Sequence, residues 1–313
     1  MTYPTLGGAG GRTRPIAAGL GRIGVSMTAL AHRVPEVGSG DAGELAAVSL
    51  SPGAGVAVAV RAAQALGCRG RIGGWVGSDG MGAFARAALT RAGLDVELVR
   101  ASPGGSACEI VTVDVEGRRL VQRGSGEEID EDALPVDVDA LLAGAQALLL
   151  DDSCPRAQAR AASRARERGI PVIVDLTSPA EGAAVLVAFA DVLISSERMV
   201  SELAPRRDLM TALGDLMTLG PRAVVVTLGA AGAVGRHGGD VIEVPGYPVE
   251  TLDTSGAGSV FHGAFVAGLL GELPFARCVE LASAAAALSC QTLGPWDGIP
   301  ERDEAVSFIT TRR

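Results

Sequence analysis

Short unbroken apolar runs recur along the chain, as in "AQALLLDD" (145–152), "IPVIVDL" (170–176), "ADVLISS" (190–196) and "RAVVVTLG" (222–229). Such runs read as strands buried on both faces. Between them lie helical patterns: the alanine-rich "GVAVAVRAAQALGC" (55–68), the amphipathic "GMGAFARAALTRAGLD" (80–95) with Asp79 as its candidate cap, and "RAQARAASRARERG" (156–169). Strands alternating with helices predict a doubly wound, mostly parallel sheet covered on both faces. In such sheets ligands sit at the carboxyl ends of the strands. Two stretches break the rhythm. "SACEIVTVDVEGRRLVQRG" (106–124) alternates with period two and reads as two strands joined at "VEGR". The segment around 35–50 also falls outside it. Together they predict a small β lid built from about 24–50 and 104–124. "VPGYPVETLDT" (244–254) reads as one more strand.

Length and composition then narrow the class. With 313 residues, 48% hydrophobic and 20% charged, the chain can bury a sizeable core. No internal repeat or long linker divides it, so residues 16–313 read as a single α/β domain and 1–15 as a flexible tail. The net charge of −9 argues against a nucleic-acid partner, because phosphate backbones need basic patches. All 27 basic residues are arginine, which excludes a Schiff-base lysine or a Walker-type lysine. Five scattered cysteines form no CxxC pair; they read as buried thiols of a cytoplasmic protein, with no disulfide framework or zinc site. No apolar run approaches a membrane span, and the opening "MTYPTLGGAGGRTRP" lacks a signal-peptide core.

Two glycine-rich stretches carry candidate chemistry. "TLGAAGAV" places Gly229 and Gly232 three apart after the strand "RAVVV". This fits a nucleotide site and a strand-to-strand turn equally well. "TSGAGSVFHGAF" says more. Gly256, Ala257 and Gly258 leave amide N–H groups unobstructed, and the helix beginning near Ser259 aims its positive dipole end at the same place. Anion binding is the favoured reading over a tight structural turn.

At these residues the sequence resembles the ribokinase-like carbohydrate kinases, also called the phosphofructokinase-B family. "VVVTLGAAGAV", "VPGYPVETLDTSGAGSVFHGAFVAGL" and "AAAALSCQTLGPWDGIP" resemble the family's C-terminal half. "SPGAGVAVAVRAAQALG" and "GGWVGSDGMGAFARAALTRAGLDVELV" resemble its other signature. The likeness runs from about residue 16 onward. It implies a ribokinase-like fold with a β lid, ATP with Mg2+ as donor, a sugar or nucleoside hydroxyl as acceptor, and a homodimer formed through the lid. It further implies that Gly256, Ala257 and Gly258 form an anion hole and that Ser196, Thr227, Gly229, Gly232 and Ser283 border the nucleotide. Asp253, with the Ser255 carbonyl, would hold a monovalent cation such as K+.

Four positions depart from the family pattern. The motif D-T-x-G-A-G-D ends in the aspartate that deprotonates the acceptor; here that position is Ser259. The early sugar-binding aspartate falls on Ser26. The G-G-x-x-x-N motif falls on Pro52, Gly53 and Ala57, and N-x-x-E falls on Ser196 and Met199. A serine hydroxyl is not a base near neutral pH, so an ordinary rate is not expected. His262, one turn beyond Ser259, is a candidate substitute, although a partly solvated helix residue is the simpler reading. Asp151 and Asp152 either hold substrate or cap the following helix. Three functions follow: an atypical or weak ATP-dependent kinase, a pseudokinase that binds a nucleotide or phosphorylated metabolite, and an enzyme with other chemistry in the same pocket.

Overall fold

The computed structural model describes residues 13–312 except 34–43, 54, 125, 127, 133–134, 178–182 and 206–207. The tail expected at 1–15 and part of the expected lid therefore lie largely outside the described residues.

Among these, thirteen strands occur: β1 (Ile16–Arg22), β2 (Val25–Ala31), β3 (Leu45–Pro52), β4 (Arg69–Gly77), β5 (Asp95–Ser102), β6 (Cys108–Asp114), β7 (Arg119–Gly124), β8 (Ala145–Leu150), β9 (Val172–Leu176), β10 (Val192–Ser196), β11 (Ala223–Thr227), β12 (Gly232–His237) and β13 (Asp240–Pro245). The helices are α1 (Val56–Ala65), α2 (Gly80–Arg91), α3 (Val138–Leu141), α4 (Pro155–Glu167), α5 (Ala183–Phe189), α6 (Glu197–Leu203), α7 (Leu209–Thr218), α8 (Ala257–Leu270), α9 (Phe275–Ser289) and α10 (Arg302–Thr311).

Nine strands form one sheet in the order β13-β12-β11-β10-β9-β8-β1-β4-β5. All neighbours are parallel except β11–β12 and β12–β13, which turn antiparallel at one edge. The alternation within β8 shows why an unbroken apolar run is needed. Ala147 and Leu149 join the core under α1, α8 and α9, while Leu148 and Leu150 join the core under α3 to α7. The order reverses between β1 and β8, so the crevice for a ligand opens beyond Arg22 and Leu150.

The expected lid is a separate sheet in the order β3-β2-β6-β7. Its two faces differ in chemistry. Ser26 pairs with Ser51 and Thr28 with Ser49 on the inner face. Met27, Val48, Leu50, Ile110 and Leu120 lie exposed on the outer one.

One strand expectation fails. Only Val244 and Pro245 of "VPGYPVETLDT" belong to a strand, as the end of β13; from Gly246 through Asp253 the chain has no regular structure. Pro245 and Pro248 cannot donate to a ladder. The amides of Leu252 and Asp253 instead donate to the Cys290 carbonyl at 2.8 and 3.1 Å.

Candidate active site

The turn expected to bind an anion is built by backbone geometry. Gly256 precedes α8 with φ 75°, a left-handed conformation, and a methyl group there would overlap Pro295. Gly258 has open space where a side chain would stand. Ten consecutive residues of α8, Ser259 to Gly268, are buried, so the positive end of this helix emerges from the core directly at the turn.

A cleft of about 550 Å³ opens in front of it. Its lining joins Thr227, Gly229 and Gly232 from the β11–β12 connection with Thr254, Ala257 and Gly258 from the turn and Ser283 from α9. Gly229–Ala231 is a 3-10 turn between antiparallel strands, the strand-to-strand turn that "TLGAAGAV" allowed, and Gly229 and Gly232 also border the cleft. The Ser283 hydroxyl is buried without a hydrogen-bond partner. A buried orphan donor beside a row of helix N-terminal amides fits a polar, anionic ligand such as ATP.

Ser196 does not line this cleft. Its Oγ caps α6 by accepting from Met199 N at 3.3 Å, and Met199 is core. The two N-x-x-E positions are thus a cap and an apolar contact. Among the described residues no group of three or more His, Cys, Asp or Glu is placed to hold a metal ion.

On the acceptor side, Ser259 Oγ accepts from Gly55 N at 2.9 Å. The next amide, Val56 N, donates to Asp151 Oδ2 at 3.0 Å. The base position and Asp151 therefore stand side by side at the start of α1. The other Asp151 oxygen accepts from Ser153 N, Ser153 Oγ and Gln158 Nε2. Burial pushes the Asp151 carboxyl above its usual range, with Asp152 adding to the rise. Asp152 accepts from Thr177 N at 3.0 Å and Thr177 Oγ1 at 2.8 Å. Neither acid caps the following helix α4, which begins after Cys154 without a side-chain cap. Asp175, at the end of β9, is also buried; desolvation and then Asp152 and Asp151 raise its carboxyl to about 8. Sequence reading did not single out this third acid, although "VIVDL" ends a buried strand in the same manner as "LLLDD".

His262 is not partly solvated. It is 1% exposed, burial lowers its imidazole to about 4, and its one hydrogen bond is to the Ile173 main chain. It faces β9 as a neutral core residue. Gly53 N donates to the Gly24 carbonyl at 2.9 Å, and Ala57 is buried within α1. Ser26, Thr28 and Ser51 carry buried hydroxyls without partners on the inner lid face.

Asp253 is buried behind the turn. Its Oδ1 accepts from Ser255 N and Ser255 Oγ, each at 2.9 Å, and its Oδ2 from Gly294 N at 2.9 Å. Across from it stands Arg119 of β7. It donates to Thr254 Oγ1 at 2.6 Å and Ser255 Oγ at 2.8 Å, and lies 3.8 Å from Asp253 Oδ1. Sequence reading missed Arg119, because nothing local to β7 refers to a loop 135 residues later.

The sequence pattern of the pfkB family carbohydrate kinases matches residues 9–302. The chain belongs to this family. Among its relatives is the ATP-dependent ribose-1-phosphate kinase of Halopiger xanaduensis, 30% identical over 301 residues, covering 93% of this chain and 97% of that one. The ribokinase of Haemophilus influenzae is 26% identical over 266 residues, covering 82% and 86%. Among solved structures, a putative ribokinase from Agrobacterium tumefaciens superposes with TM-score 0.89 at 24% identity, over 96% of this chain and 99% of that one. Phosphofructokinase-2 of Escherichia coli, determined in complex with potassium, gives 0.78 at 19% identity over 96% and 99%.

Proposed function

We propose that this protein is an ATP-dependent phosphotransferase that acts slowly on a hydroxyl of a sugar, sugar phosphate, nucleoside or related small metabolite. The cleft carries this reading: its lining joins the N-terminus of α8 to Ser283, whose hydroxyl has no hydrogen-bond partner. The amides of the turn would take the transferring phosphoryl group, and Thr227, Gly229, Gly232 and Ser283 would border the nucleotide. Mg2+ would enter as the counter-ion of the phosphates, since Ser196 and Met199 offer it no carboxylate. Phosphoryl transfer depends mainly on positioning and electrostatics, so turnover can persist without a strong base. A phosphorylated sugar belongs among the acceptors because the Halopiger relative is named for one. The orphan hydroxyls of Ser26, Thr28 and Ser51 give the inner lid uncharged partners for such a molecule.

The Gly258→Asp variant tests the cleft. A Cβ at 258 has no protein atom within 4 Å, so the fold should stand while a carboxylate repels the phosphates. Calorimetry should show loss of Mg·ATP binding with an unchanged melting temperature. Unchanged affinity would sink the assignment.

One observation favours the second reading, a nucleotide-binding pseudokinase or a repurposed enzyme: Ser259 Oγ is already engaged by Gly55 N. Steady-state ATP consumption with ribose, ribose 1-phosphate, fructose and adenosine separates the readings. Tight nucleotide binding with no acceptor-dependent turnover would establish the second.

A further inference from the structure

We infer that the guanidinium of Arg119 takes the place of the monovalent cation at the anion-binding turn, so that this chain carries its own cation. The inference deepens the nucleotide reading above. Its ground is the corner formed by Asp253, Thr254 and Ser255.

A monovalent metal needs oxygen lone pairs directed at one point. In this corner the side-chain lone pairs are already taken. Asp253 Oδ1 already receives two donors from Ser255, and Oδ2 receives the Gly294 amide. The Thr254 and Ser255 hydroxyls point lone pairs at Arg119 and accept its N–H groups at 2.6 and 2.8 Å. The positive charge at 3.8 Å from Asp253 is the counter-ion that this buried carboxylate requires. A second cation in the same corner would meet a like charge at close range. Asp253, the carboxylate that K+ would share with the Ser255 carbonyl, is therefore already hydrogen-bonded on both oxygens and has its counter-ion in Arg119.

Arg119 reaches the corner by strand geometry. It pairs opposite Val113 at the start of β7, which puts it on the inner lid face with Val111 and Val121. The planar fork of arginine then spans two hydroxyls on adjacent residues, which a lysine ammonium would engage less specifically.

The test uses the whole chain and its Arg119→Ala and Arg119→Lys variants, in matched concentrations of potassium chloride and tetramethylammonium chloride. Calorimetry with Mg·ADP should give the parent the same affinity in both salts. Arg119→Ala should bind about tenfold more weakly in tetramethylammonium and recover in potassium, as a coupled site does. Arg119→Lys, which keeps the charge, should remain indifferent to the salt. Without nucleotide, the melting temperature of the parent should not respond to the exchange, while that of Arg119→Ala should rise by about 2–4 °C in potassium. Parent affinity that climbs about tenfold with potassium overturns the inference. So does an Arg119→Ala loss that potassium fails to restore, which would make the arginine only a lid fastening. If the parent binds no nucleotide, the kinase reading fails, and the melting comparison alone decides the role of Arg119.

Discussion

Asp175 is an acid held where water cannot stabilise its charge. Its carboxyl titrates near 8 in the folded protein against 3.8 as an ordinary side chain, through desolvation and then the facing Asp152 and Asp151. The folded state thus holds a proton that the unfolded chain gives up above about pH 4. The contribution of this one group is full below that pH and is lost as pH rises toward 8. Asp175→Asn removes the titration. Its melting temperature should exceed that of the parent by a margin that grows between pH 4 and 8; a constant margin would refute the shift. Ser259 poses a different problem. An aspartate there would stand beside Asp151, and neighbouring acids raise one another's pKa. Ser259→Asp alone should therefore leave ATP turnover with ribose within about tenfold of the parent, short of the 10²–10⁴ that a general base supplies. Adding Ser26→Asp and Ala57→Asn should raise it further. Full activity from the single variant would show that the acceptor contacts were already adequate. The replaced base was legible in the sequence because a motif fixes its position. The committed state of Ser259 was not, since its partner Gly55 is 204 residues away.

Among elements, the pairing of α8 with α1 fixes the site. Gly263 lies where the two helices cross, and a methyl group there would overlap the Ala59 carbonyl. Gly263→Ala should cost about 1–3 kcal/mol or more in urea unfolding, since neither backbone has room to retreat. A variant of parental stability would mean that the helices separate easily. The same crossing carries Ser259 to the start of α1, so loss of packing should also weaken nucleotide binding. Apolar runs and glycine spacing made α8, the parallel strands and the lid hairpin readable in advance. The stretch after β13 misled because its composition resembles a strand, whereas its proline positions and the Cys290 carbonyl dictate an irregular path.

At the scale of the molecule, the lid leaves Met27, Val48, Leu50, Ile110 and Leu120 between 42% and 55% exposed on one face. An apolar patch of this kind marks an association surface, and the family resemblance implies a homodimer through it. Sedimentation equilibrium should find a dimer, and Val48→Asp with Leu50→Asp should weaken it by about thirtyfold or more. A monomeric parent would remove the reading. The fold was legible at this scale because sheet and helix periods are local properties. The contact between lid and turn was not, because it depends on which distant residues the lid brings together, as Arg119 with Thr254. Adjacent residues of a strand face opposite ways, and in β7 those residues are Arg119 and Leu120. A single peptide bond separates the charge that meets Thr254 from a side chain on the outer patch. Pressure from a neighbouring subunit on Leu120 would reach the Thr254 turn with no relay in between, and two such chains would sense each other's occupancy through their lids.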